Sequence, residues 1–265
     1  MSKATWYFDF ISPFAYLQLA RFSELPNDIN ITLKPVVFGS LLEHWGQLGP
    51  AEIPPKRRFV YRFFQWNANK LGIPFVMPPR HPYNPLPSLR LCVAAGSQID
   101  DIKGIFNLIY GKGIQPDTAE GIDSIASILG ISEPDKVIND DHIKIKLRKN
   151  TEQAINNDVF GVPSFVINEE VFWGGDSTEM LLNYLKNPDL FKTPEMIRIS
   201  KMPMGNRRNS NWLSIIPTSN YRADNNNNLK KFSQILLFQF LKRPSSYIFN
   251  REVVTWNDSK IEANI

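Results

Sequence analysis

Apolar and polar positions along the chain predict a strand, a helix and a second strand at its start. Residues 5–11 (TWYFDFI) are aromatic and apolar, as in a buried strand, and Ser12-Pro13 then offers an N-cap and a proline suited to the first turn of a helix. Ala15, Leu17, Leu19, Ala20 and Phe22 supply the apolar positions of that helix. Residues 29–38 (INITLKPVVF) are β-branched and alternate at first, with Pro35 marking a bend or an edge position. The economical reading is a βαβ unit.

A helical pattern follows from 39 to about 71, interrupted by the loop 46–50, and Phe59, Phe63 and Trp66 recur at helical spacing, as core or dimer packing would require. The proline-rich stretch 74–87 is loop, and helices are predicted over 86–96, 99–111, 118–129 and 134–158. The strand pattern returns at 162–167 (VPSFVI) and 171–173 (VFW), joined by Asn168-Glu169-Glu170 as in an antiparallel hairpin. Asp176, with Glu179 three residues on, reads as a capping box opening a last helix to about Lys186. The order βαβ, helices, ββα is that of an α/β thioredoxin-like domain, residues 1–190, carrying an inserted all-helical subdomain at about 39–158.

Charge divides the chain at the same place. Its 265 residues carry 30 Lys+Arg against 26 Asp+Glu, yet residues 1–190 hold 18 and 21 of these, while 191–265 hold 12 and 5. The pI near 9.0 therefore belongs to the tail and gives the domain no nucleic-acid footprint. The tail includes eleven asparagines and shows no sustained period beyond a short helix at 229–242, so it is expected to be mostly disordered or loosely docked. One cysteine excludes an intrachain disulfide and any Cys-x-x-Cys redox pair. No signal segment is evident at the N-terminus, and 235–241 is too short to span a bilayer, so a cytoplasmic protein whose core domain touches no membrane is expected.

In a thioredoxin-like frame the reactive position is the turn between the first strand and its helix, where a helix N-terminus stabilises a thiolate. Ser12 stands there, either as a simple N-cap or as a hydroxyl able to hydrogen-bond a thiolate brought in by a cosubstrate. Gly161-Val162-Pro163-Ser164 occupies the place of a cis-proline loop, where the Val162 backbone would pair with an extended peptide. Gly174-Gly175-Asp176-Ser177 offers N–H groups for a carboxylate and the Asp176 carboxylate for an ammonium group, the two charges of an amino-acid head. An extended thiol peptide with a free amino-acid end satisfies all three, and glutathione is such a peptide.

Residues 7–16 (YFDFISPFAY), 49–58 (GPAEIPPKRR), 160–165 (FGVPSF) and 173–176 (WGGD) closely resemble the 2-hydroxychromene-2-carboxylate isomerases, a branch of the DsbA-like superfamily related to kappa-class glutathione transferases. The resemblance covers about residues 4–187. It implies a glutathione-dependent isomerase of naphthalene-type aromatic catabolism, interconverting 2-hydroxychromene-2-carboxylate and trans-o-hydroxybenzylidenepyruvate, with glutathione regenerated and a homodimer as the usual assembly. It implies Ser12 as the catalytic residue, hydrogen-bonded to the glutathione sulfur, and Val162, Pro163, Asp176 and Ser177 as cofactor-binding residues, with Gln47 where many relatives have asparagine.

An aromatic carboxylate substrate needs a cation, for which Lys56, Arg57, Arg58, Arg62 and Arg80 are candidates, and His44 and His81 could serve as acid or base. The three histidines show no metal-ligand spacing, and Cys92 has the apolar neighbours of a buried helix residue. Two alternatives stand beside the isomerase: a kappa-like transferase or peroxidase acting on another electrophile, and a non-catalytic thioredoxin-like module binding peptides in the Pro163 groove.

Overall fold

In the computed structural model, which describes residues 2–205, the chain runs β1 (Lys3–Phe8), α1 (Pro13–Leu19), β2 (Asn30–Pro35), α2 (Phe38–Trp45), α3 (Pro54–Leu71), α4 (Leu86–Ala94), α5 (Ile99–Phe106), α6 (Ala119–Ile128), α7 (Pro134–Asn139), α8 (Asp141–Asn156), β3 (Ser164–Ile167), β4 (Glu170–Trp173), α9 (Thr178–Lys186) and α10 (Pro194–Ser200). These elements all belong to one unit, Met1–Lys201. No helix among the described residues is long and apolar enough to cross a membrane.

The sheet order is β2-β1-β3-β4, with β2 parallel to β1 and the other two pairs antiparallel. This is the thioredoxin-like arrangement with an inserted helical subdomain between β2 and β3. Pro35 lies on the edge strand β2, where no ladder bond is lost on its free side. β1 is buried on both faces, which is why its apolar residues run on instead of alternating. Ala4, Trp6 and Phe8 enter the larger core, while Tyr7 packs on the opposite face with Val36, Leu41, Ala154 and Val166. Burying each such large side chain stabilises the fold by about 1.5–3 kcal/mol.

Several boundaries differ from the predicted ones for local reasons. β1 stops at Phe8 because the Asp9 side chain takes up the N–H of Ile11 and turns the chain. The helix predicted over 134–158 is two helices, since the Asp140 carboxylate caps α8 by accepting from the amides of His142 (2.7 Å) and Ile143 (3.4 Å). The hairpin turn is two residues, Asn168 and Glu169, both at positive φ (49° and 72°), because Glu170 already pairs with Ile167. Phe59 and Trp66 are not core residues: they are 66% and 56% exposed, and the buried face of α3 is Val60, Phe64 and Ala68.

The boundary expected at residue 190 falls inside a packed cluster. Phe191 stacks on Tyr184 at 5.3 Å and on Phe172 at 5.9 Å, and α10 follows, with the Thr193 hydroxyl accepting from the Met196 amide at 3.3 Å. The expectation for the remainder of the tail, including a helix at 229–242, concerns residues outside those described.

Candidate functional site

The turn after β1 is held from every side. Asp9 is fully buried; one carboxylate oxygen accepts the N–H of Ile11 (3.0 Å) and the other that of Phe38 (2.9 Å), the first residue of α2. Loss of solvent pushes the Asp9 carboxyl up to about 7, against the opposing pull of these two amides. The Phe10 carbonyl accepts from the hydroxyls of Tyr83 (2.6 Å) and Tyr110 (2.9 Å), both buried and both raised well above the usual phenol range by burial. His81 Nε2 lies 2.7 Å from the Ile11 carbonyl and must therefore carry a proton; the Tyr61 hydroxyl lies 2.8 Å from both Nδ1 and the His81 carbonyl, and burial lowers the pKa of the ring.

Ser12 emerges from this frame only 7% exposed. Its backbone occupies the N-cap position of α1, but its hydroxyl makes no capping bond and instead donates to the Val162 carbonyl at 3.3 Å, across 150 residues of sequence. The Val162–Pro163 peptide is cis, and the Pro163 carbonyl accepts from the Gly174 amide at 2.8 Å. Ser12, Val162, Pro163 and the Gly174–Ser177 loop are therefore contiguous in space.

The capping box expected at Asp176 and Glu179 is not formed. Residues Gly175–Ser177 make a 3-10 turn, Ser177 occupies the N-cap of α9, and its hydroxyl turns back to the Gly174 carbonyl at 2.9 Å. Freed from capping, the exposed Asp176 lines a cavity of about 260 Å³ together with Phe14, Gln18, Arg21, Phe63 and Lys70. Two cations and two carboxylates thus face one small space beside the Ser12 helix, Arg21 being paired with Glu24 and leaving Lys70 and Asp176 as the other two charges.

Gly161 is required by a close approach: a Cβ there would lie 2.6 Å from the Trp173 indole nitrogen. Trp173 is 53% exposed and packs edge-on to Phe160, so it can yield outward at the expense of that contact. Gly161→Ala is expected to fold with a loss of about 1 kcal/mol and to shift tryptophan fluorescence. Because Gly161 precedes Val162, ligand affinity should also fall. Unchanged fluorescence together with unchanged affinity would show that Trp173 does not set this loop.

Of the five candidate cations, Arg57 and Arg80 line an open groove of about 550 Å³ with Tyr61, Met77 and His81. His81 joins that groove to the turn after β1 through its bond to Ile11. Arg80 is also 3.6 Å from Asp117, a surface pair that leaves its head accessible. Lys56, Arg58, Arg62 and Gln47 are exposed and line neither cavity; Gln47 follows Gly46, whose left-handed backbone ends α2, and uses its N–H on the Leu42 carbonyl. His44 is exposed against Trp45, and His142 is exposed on α8. Cys92 is buried in α4, and desolvation pushes its thiol up to about 12.

The structure adds residues that the sequence reading did not single out: Asp9, Gln18, Arg21, Tyr61, Tyr83 and Tyr110. One signal was available for Asp9, a lone carboxylate in an apolar strand run, since an unpaired buried charge is costly.

A buried serine hydroxyl facing a cis-proline loop, with a charge-lined cavity alongside, defines a thioredoxin-fold protein whose turn after β1 carries no thiol. The model of the DSBA-like thioredoxin domain matches residues 5–186, and the chain belongs to that family. It is 28% identical over 188 residues to 2-hydroxychromene-2-carboxylate isomerase of Pseudomonas putida, covering 66% of this chain and 90% of that protein. It is 25% identical to glutathione S-transferase kappa 2 of Caenorhabditis elegans, over 71% of this chain and 93% of that one. A solved 2-hydroxychromene-2-carboxylate isomerase superposes with a TM-score of 0.63 at 27% identity, covering 71% of this chain and 98% of that one. The resemblance carried by the four motifs is thus met both by sequence relatives and by a structural one.

Proposed function

We propose that the protein is a glutathione-dependent isomerase of the 2-hydroxychromene-2-carboxylate type, acting in the cytoplasm on a small aromatic carboxylate. The reading rests on one observation above all: the Ser12 hydroxyl is spent not on its own helix but across the cis-proline loop, on the Val162 carbonyl. The donor set suits glutathione. The Val162 backbone would pair with a cysteinyl peptide unit, and Asp176 shares its cavity with Lys70, matching the two charges of a γ-glutamyl head. When bound, glutathione supplies the thiolate that adds reversibly to the conjugated substrate. The Ser12 hydroxyl donates a hydrogen bond to the sulfur, keeping its own proton, and so favours the ionised form. Arg57 and Arg80 take the substrate carboxylate in the groove that His81 joins to the turn.

Calorimetric titration with glutathione tests the site. Asp176→Ala is expected to weaken binding about 10- to 100-fold, the scale of losing a charged hydrogen-bond partner. Equal affinity in the variant and the wild type would remove Asp176 from the ligand. The similarity to a kappa-class transferase supports a second reading, conjugation to another electrophile. Turnover separates the two, because isomerisation leaves the glutathione concentration constant whereas conjugation depletes it one for one.

A further inference from the structure

Gln18 is 2% exposed on α1, six residues beyond Ser12, and both ends of its amide are engaged. The Trp6 indole N–H donates to its oxygen at 2.7 Å, which fixes the amide's orientation and aims its NH₂ at the Gly174 carbonyl, 2.9 Å away. Three residues on, in the turn just past α1, Arg21 donates to the Gly175 carbonyl at 3.1 Å, its guanidinium steadied by a forked pair with Glu24 at 2.7 and 2.8 Å. Gly174 has φ of 80°, a conformation open to glycine, and its own N–H is bound to Pro163. The successive carbonyls of Gly174 and Gly175 are thus drawn onto α1 and the turn that follows it while the Gly174 amide is tied to the cis-proline loop, and Asp176 follows immediately.

We propose that Gln18 is a positioning residue that locks the Gly174–Ser177 loop to the helix bearing Ser12, and so sets selectivity for a ligand with an amino-acid head group. The selectivity half rests on the glutathione reading; the locking half does not. A buried amide with both partners in place is costly to replace, and its loss leaves the Gly174 carbonyl held only by Ser177.

The test uses three variants of the full chain. Gln18→Met removes both bonds. Gln18→Glu keeps the acceptor for Trp6 but presents an oxygen to Gly174. Arg21→Met acts on the same loop from the solvent side and leaves the core intact should the first two unfold. In the free protein, amide hydrogen exchange over residues 174–177 should accelerate about tenfold in each, by loss of about one hydrogen bond's net stabilisation. Glutathione affinity should fall about five- to tenfold, while that for the dipeptide Cys-Gly, which lacks the γ-glutamyl head, should stay within about twofold. Unchanged exchange in every folded variant overturns the proposal. Equal losses for glutathione and Cys-Gly overturn the selectivity half. Faster exchange in a protein whose wild type binds no glutathione leaves the lock in place and removes the glutathione reading.

Discussion

Ser12→Ala is expected to lower glutathione-dependent turnover about 10- to 100-fold, the range of one hydrogen bond to an ionised partner. The thiolate of bound glutathione, followed by its ultraviolet absorbance against pH, should form at correspondingly higher pH. Both effects come from the same proton. The Ser12 hydroxyl donates to Val162 at 3.3 Å, a long bond that rotation about one torsion can redirect to a nearby sulfur. The structure also sets the stability cost of the variant. An N-cap serine costs about 1 kcal/mol when replaced by alanine through its capping bond; Ser12 makes no capping bond, so the variant should lose only the long bond to the Val162 carbonyl, about 0.5–1.5 kcal/mol. A stability loss of that size with full turnover would return Ser12 to a structural role.

How far the sequence carried depends on the kind of signal each feature left. The frame was legible because it is written in local terms: an apolar run, a proline at a helix start, β-branched strands and glycine or proline breaks. Ser12, Val162 and Pro163 were legible because the frame puts them at fixed places. The α3 face was not. Phe59, Phe63 and Trp66 recur at helical spacing, but so do Val60, Phe64 and Ala68 one or two positions on, and periodicity gives a phase without saying which face meets the core. The capping role read for Asp176 failed for a related reason. A 3-10 turn moved the helix start to Ser177, and a side-chain pattern cannot register that one-residue shift. Gln18 was invisible because its partners, Trp6 and Gly174, lie 12 and 156 residues away. Likewise the basic run Lys56-Arg57-Arg58 could be narrowed only once the groove showed that Arg57, together with the distant Arg80, lines it.

Asp9 carries the largest expected effect on stability, and its sign is unusual for an acidic residue. Burial outweighs the amides of Ile11 and Phe38, so the folded protein holds a proton on Asp9 up to about pH 7, whereas the unfolded chain releases it near the ordinary carboxyl value of 3.8. Between those values the native state binds more protons than the unfolded one. The contribution is therefore fully present below about pH 4 and is lost as pH rises towards 7. A rise of this size is worth about 4 kcal/mol in all, of which about 3 kcal/mol falls between pH 5 and pH 8. A carboxamide at this position does not titrate, so urea unfolding of wild type and Asp9→Asn across that range should show the wild type losing about 3 kcal/mol relative to the variant. Tyr61, Tyr83 and Tyr110 are all raised from the ordinary phenol value of 10.0, the last two partly by the Asp9 charge itself, and so do not titrate between pH 5 and pH 8, while His81, whose pKa burial lowers, titrates in both proteins and cancels in the difference. The carboxamide cannot serve both N–H donors, since its NH₂ faces one of them, so the variant should also carry a pH-independent penalty of about 1–3 kcal/mol. Parallel stability curves would show that Asp9 is ionised throughout, with the Ile11 and Phe38 amides prevailing over burial. A converging pair would place a neutral-pH proton three residues from Ser12, on the carboxyl that ties the active turn to α2.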